Sequence, residues 1–123
     1  MGALGGADAA HDTVRCMDAV QRFEALLASG KDGALLRFGL GMQYLNAKDA
    51  ARAEQHLRRA VELDPAYSAA WKLLGRALEQ QERADAAMDA YRHGIEAAEK
   101  RGDKQAAKEM SVFLRRLEKR GGA

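Results

Sequence analysis

A single cysteine, Cys16, and a single proline, Pro65, interrupt a chain of 123 residues. One thiol builds neither an internal disulfide framework nor a thiolate metal cluster, and it suits a reducing compartment. Charge of one sign is missing as well. Lys and Arg total 20 against 18 Asp and Glu, a formal net charge of +2, which sets no preference for acidic or basic partners. No apolar run approaches the roughly 20 residues that span a bilayer. The opening Met-Gly-Ala-Leu-Gly-Gly-Ala-Asp lacks the basic start and continuous apolar stretch of a secretion signal. Gly6 also stands where a myristoylation acceptor would carry Ser or Thr. These absences predict a cytoplasmic protein with no membrane segment. The length suits one domain that buries roughly two thirds of its unfolded-chain surface.

Chemical constellations are scarce too. His11, His56 and His93 are far apart and show no metal-ligand spacing, so surface positions are expected for them. Cys16 has no base nearby in sequence and reads as an ordinary buried or half-buried thiol. Phe38-Gly39-Leu40-Gly41 falls inside a helical pattern rather than after a strand, which excludes a phosphate-cradling loop. The expectation is a protein that is not an enzyme and holds no metal or cofactor.

What the chain does have is helical periodicity. Val14, Met17, Val20, Phe23, Leu26 and Leu27 recur at steps of three and four, the spacing of one helix face. Gly30 stops this run and Asp32 is placed to cap the next. Periodic runs then cover 34–46, 50–63, 68–81, 84–100 and 103–119. Pro65 forces the firmest break. No segment alternates as a half-buried strand does, so about six helices and an all-α fold are predicted. Residues 1–13, rich in Gly and Ala without apolar periodicity, read as a mobile tail.

The chain also resembles itself. A shift of 34 residues lays Leu40-Gly41 on Leu74-Gly75, Ala50 on Ala84, Ala53 on Ala87, Arg58 on Arg92 and Glu62 on Glu96. Gly41 and Gly75 sit inside helices, where each costs about 1 kcal/mol relative to Ala. That cost, kept at one phase in both units, predicts close approach of another helix backbone. The second unit carries Trp71, Leu74, Gly75, Leu78, Ala87 and Tyr91; the first carries Leu40, Gly41, Tyr44, Ala53, Leu57, Ala60 and Pro65. On these residues the chain resembles a tetratricopeptide repeat protein, whose unit is a helical hairpin of about 34 residues. Arg37 takes the Trp position of the first unit, with its stem packed and its head in water. Gly94 and Glu99 replace the small residue and proline that close the second.

The resemblance implies a right-handed α-solenoid: a leading helix over 14–29, repeat one over 34–67, repeat two over 68–101 and a capping helix over 102–120. In the last of these, Gln105, Lys108 and Glu109 stand where Trp, Leu and Gly would receive another hairpin. Ala106, Met110, Phe113, Leu114 and Leu117 are expected to face the stack. The stretch from Arg101-Gly102-Asp103 to Val112-Phe113-Leu114 is similar to the ending of small stand-alone bacterial repeat proteins. Arg101-Gly102-Asp103 itself reads as a helix stop followed by a cap rather than an adhesion motif.

On a helical wheel, Leu36, Leu40 and Tyr44, or Trp71, Leu74 and Leu78, face the partner helix of each hairpin. A second stripe holds Leu35, Phe38, Met42 and Leu45 in the first unit and Ala69, Lys72, Arg76 and Glu79 in the second. In tetratricopeptide domains such a stripe lines the concave surface where a partner's segment docks. The resemblance therefore implies a non-catalytic protein-interaction module. Phe38 and Met42 would receive an apolar side chain, and Lys72 and Arg76 a carboxylate. The alternatives are that the apolar stripe is covered by the leading helix or by a second copy, with Lys72 and Arg76 merely solvated. Chaperone-tail binders of this fold use a clamp of Lys and Asn, then Asn, then Lys and Arg. The corresponding places here hold Phe38 and Met42, Leu73, then Asp103 and Ala107, which argues against that ligand. A nucleic-acid contact through Lys104, Lys108, Arg115, Arg116, Lys119 and Arg120 is disfavoured because Asp103, Glu109 and Glu118 interrupt the run.

Overall fold

The computed structural model describes residues 17–122. The expected tail over 1–13, with His11, and Cys16 lie outside these residues. The described chain forms helix α1 over 17–28, then α2 Ala34–Asn46, α3 Ala50–Leu63, α4 Ser68–Gln80, α5 Ala84–Lys100 and α6 Lys104–Gly122. No strand occurs among the described residues.

The turns follow from backbone chemistry that repeats along the chain. α1 and α5 end on glycines with positive φ, Gly30 at 92° and Gly102 at 77°. α2 and α4 end through Lys48 at φ 65° and Glu82 at φ 58°, one 34-residue period apart. After each left-handed residue the next amide turns back on the helix: Lys31 N to Leu26 O at 3.2 Å, Asp49 N to Tyr44 O at 2.8 Å, Arg83 N to Leu78 O at 3.0 Å and Asp103 N to Ala98 O at 2.8 Å. That bond satisfies a carbonyl the helix leaves unpaired. α3 ends differently, with Asp64 extended ahead of Pro65.

Asp49 and Asp103 restart the chain by accepting the amides of Arg52 and Ala106, each at 3.1 Å. Asp103 is thus committed to helix capping. Asp32 departs from expectation. Gly33 occupies the cap of α2 without a side-chain bond, and Asp32 instead takes a two-pronged contact from Arg37, Nε to Oδ1 at 2.8 Å and Nη2 to Oδ2 at 3.1 Å. A charge-assisted fork outcompetes a single amide for the same carboxylate.

α2 and α3 form one hairpin, α4 and α5 a second, and α3 packs on α4 and α5 on α6. α2 touches α4, and α4 touches α6, so these three helices make one wall of an all-α solenoid. Leu40, Leu57, Leu74, Leu78, Tyr91 and Met110 are the largest fully buried side chains, each contributing on the order of 1.5–3 kcal/mol of apolar burial. The helix glycines are close-contact points, but the neighbour is a side chain rather than the expected backbone. A methyl group on Gly41 would overlap Leu57, and one on Gly75 the Tyr91 ring. Gly94 leaves room for Met110 of α6 and for Trp71. Along α6, Ala107, Met110 and Leu117 are buried, and Ala106, Phe113 and Leu114 pack partly against the same core. Glu54 of α3 straps the two hairpins, accepting from Gln81 at 3.0 Å and Arg83 at 2.7 Å.

Two side chains expected toward water are not there. His56 is buried, not on the surface, because α1 and Tyr44 cover it: the Tyr44 ring lies parallel to the imidazole at 5.5 Å, and Glu24 Oε1 is 3.3 Å from Nε2. The Arg37 head lies on Asp32 and on His56 Nδ1, at 3.0 Å from the latter, rather than in solvent.

Candidate partner-binding face

The wall shared by α2, α4 and α6 carries the stripe that the helical wheel selects. Leu35, at the start of α2, is 75% exposed. One turn on, Phe38 is half-buried with its ring stacked on Tyr67 at 4.9 Å. Met42 follows at i+4, still 37% exposed, and Leu45 is sunk to 7%. Steps of three and four residues keep all four on one side of α2. Tyr67 immediately precedes α4, so the stack joins the two hairpins at the Pro65 turn. Burial raises the Tyr67 hydroxyl above the ordinary phenol range, and Asp64 adds to this.

The α4 residues divide. Lys72 Nζ is engaged by Glu109 Oε1 of α6 at 3.2 Å, which makes it a strut across the wall. Glu79 accepts the hydroxyl of Tyr91. Burial and this carboxylate push the Tyr91 phenol far above its usual range, so it stays protonated and its proton goes to Glu79. Arg76 is exposed and joins no ion pair among the described residues.

Arg76 and Gln80 form a ridge between two depressions. One, of about 360 Å³, lies between α2 and α4 against Met42, Leu45, Leu73 and Lys48. The other, of about 430 Å³, is bounded by Glu79, Tyr91, Phe113 and Arg116. The fold therefore brings Met42, Leu45 and Arg76 together, sets Glu79 just across the ridge, leaves Leu35 and Phe38 at the Tyr67 end, and assigns Lys72 to α6. The helical-wheel stripe leaves out Tyr67, Leu73, Phe113 and Arg116. In the sequence Leu73 stands out only as the occupant of a clamp position, Phe113 as a capping contact and Arg116 as part of the interrupted basic run of α6; only the packing of α6 on α4 and α5 turns the last two toward this face.

Among the described residues no group of three or more His, Cys, Asp or Glu is placed to hold a metal ion, and no described helix is long and apolar enough to cross a membrane.

Comparison with known proteins agrees with this architecture. Two tetratricopeptide repeat patterns match the chain, over residues 4–68 and 44–109. The chain belongs to the tetratricopeptide repeat family. It is 53% identical over 100 residues to a TPR repeat-containing protein of Pseudomonas aeruginosa, covering 81% of this chain and 95% of that one. The solution structure of a Bordetella parapertussis protein is 46% identical, with a TM-score of 0.72 over 82% of this chain and 88% of that one. A crystal structure of a tetratricopeptide repeat domain protein from Salinibacter ruber is 30% identical, with a TM-score of 0.66 over 71% and 97%. Tetratricopeptide stacks are protein-interaction or scaffold modules and generally do no catalysis, and the repeats of this chain place it in that class.

Proposed function

We propose that this tetratricopeptide protein is a non-catalytic, cytoplasmic module that binds a segment of a partner protein along the α2–α4–α6 wall. The observation that carries the reading is the open α2 stripe, Leu35, Phe38 and Met42, beside a depression whose rim is Arg76. An apolar side chain of the partner seats between Met42 and Leu73, and a carboxylate nearby meets Arg76. Lys72, held by Glu109, supports the wall rather than the ligand. The surface is formed by packed helices, so little ordering is needed on this side of the complex.

The test is a pull-down comparing the wild type with a Met42→Glu, Arg76→Glu variant, after sedimentation of both. Loss of partners from the variant supports the groove; identical partner sets remove it. Self-association is the second reading, favoured by the 75% exposure of Leu35. Sedimentation that shifts to a dimer with concentration, and returns to monomer in Leu35→Ser, would select it. Binding that collapses steeply as salt rises would instead point to a polyanion on α6.

A further inference from the structure

The least ordinary cluster in the molecule lies away from the wall, at the corner where α1 meets the first hairpin. His56 of α3 is buried there between charged groups from three directions. Glu24 of α1 places Oε1 3.3 Å from Nε2, and the same oxygen accepts the Tyr44 hydroxyl of α2 at 3.1 Å. Arg37 of α2 places Nη1 3.0 Å from Nδ1. Arg37 is itself held by Asp32 of the α1–α2 turn, which also lies 3.8 Å from Arg59 of α3. Arg52 of α3 sits over the Tyr44 ring at 5.9 Å.

Hydrogen-bond chemistry fixes the state of the ring. A guanidinium only donates, so Nδ1 must be an acceptor and the imidazole proton resides on Nε2, where it donates to Glu24. A second proton has no place: it would sit on Nδ1 and point at the N–H of Arg37. We propose that His56 is a proton-operated latch on the α1–α2 corner, closed by Arg37 and Glu24 while the ring is neutral and opened on the Arg37 side when the ring is protonated.

The sign follows from the surroundings. Burial disfavours the charged ring, Glu24 favours it, Arg37 disfavours it and Asp32 favours it; the balance lies below the ordinary value of 6.5. The unfolded chain then binds more protons than the folded one just below neutrality. Stability is full above about pH 6.5, falls as the pH drops from there toward the folded midpoint, and levels off beneath it. Asp32 and Glu54, whose carboxyls are held below their usual values by Arg37 and by Arg58 and Gln81 respectively, lose their contributions at more acid pH, so the windows are separate. Protonation turns the Glu24 contact that holds α1 into an ion pair and breaks the Arg37 contact, so the part released is the first half of α2 and the preceding turn, where Arg37 and Asp32 lie.

The test uses the full chain, isotope-labelled, between pH 5 and 8. The His56 ring should show the Nε2–H tautomer at pH 7.5, with a midpoint below that of the same ring in the urea-unfolded chain. Amides in the first half of α2, corrected for intrinsic exchange, should lose protection several-fold more than those of α5 between pH 7.5 and 5.5. In His56→Gln, whose amide still accepts from Arg37 and donates to Glu24 but takes up no proton, that difference should vanish. A midpoint at or above the unfolded value, equal loss in α2 and α5, or an unchanged response in His56→Gln would each overturn the latch. If the Gln variant does not fold, the wild-type ring titration alone decides.

Discussion

The two hairpins solve the same packing problem with different chemistry. At four positions one repeat apart, the first hairpin has Arg37, Tyr44, His56 and Arg59, and the second has Trp71, Leu78, Ala90 and His93. In the second, Trp71 stacks on His93 at 4.8 Å and donates to the Pro65 carbonyl at 2.8 Å, while Leu78 and Ala90 are simply buried. In the first, Arg37 and Arg59 converge on Asp32 while Tyr44 and His56 converge on Glu24. At these four positions the repeat keeps neither size nor polarity. A network of charged hydrogen bonds is acceptable there because its members satisfy one another, and no buried side-chain polar atom among the described residues lacks a partner. The consequence is asymmetric: the leading hairpin responds to protons, and the second rests on apolar packing with Trp71 and Tyr91, of which only the Tyr91 ring is fully buried.

The largest expected effect tests that dependence on one ring. Tyr91 is fully buried, fills the gap left by Gly75, meets Phe113 of α6 at 5.6 Å and donates to Glu79. Tyr91→Ala should cost about 3–5 kcal/mol in urea denaturation, the range for a deleted core aromatic. A loss under about 1 kcal/mol would mean that the second hairpin does not hang on this side chain.

The reverse experiment adds volume. Gly75→Leu forces a side chain into the Tyr91 ring, which its hydroxyl bond to Glu79 holds in place, and should cost about 1–3 kcal/mol beyond any helix gain. The melting temperature should drop by several degrees. At Gly41 the obstacle is the branch carbon of Leu57, itself fully buried and met as closely as the Tyr91 ring is at Gly75. Gly41→Ala should therefore also destabilise, by about 1–3 kcal/mol of overpacking less the gain in helix propensity of about 1 kcal/mol. A neutral Gly41→Ala would show that the first hairpin yields where the second does not.

How much of this was legible beforehand depended on range. The helices and the repeat were readable because they rest on local rules: apolar spacing, Pro65, and Leu-Gly recurring at 34 residues. The α2 stripe was readable for the same reason, since a helical wheel needs only one helix. What failed needed a second element. His56 looked like a surface residue until α1 brought Glu24 to it. Asp32 looked like a cap until Arg37 competed for it. The role of Lys72 depended on Glu109, 37 residues away, and nothing within α4 signals that pairing.

The smallest effect serves as the control on the comparison. Lys48 and Glu82 occupy the left-handed region at equivalent turns, with φ 65° and 58°. The backbone bonds there match, Lys48 N to Leu45 O at 3.0 Å and Glu82 N to Glu79 O at 2.9 Å. A left-handed residue with a Cβ costs about 1–2 kcal/mol, and glycine relieves this while adding about 0.5–1 kcal/mol of unfolded-state entropy. Lys48→Gly and Glu82→Gly should each raise stability by about 0.5–1 kcal/mol, by equal amounts, measured as a shift of the urea midpoint at constant slope. Equality follows because the hairpins differ in their side-chain chemistry and not in how their backbones turn. A gain at one turn and a loss at the other would locate part of the asymmetry in the chain path itself, and the contrast between a proton-sensitive and an apolar hairpin would no longer rest on side chains alone.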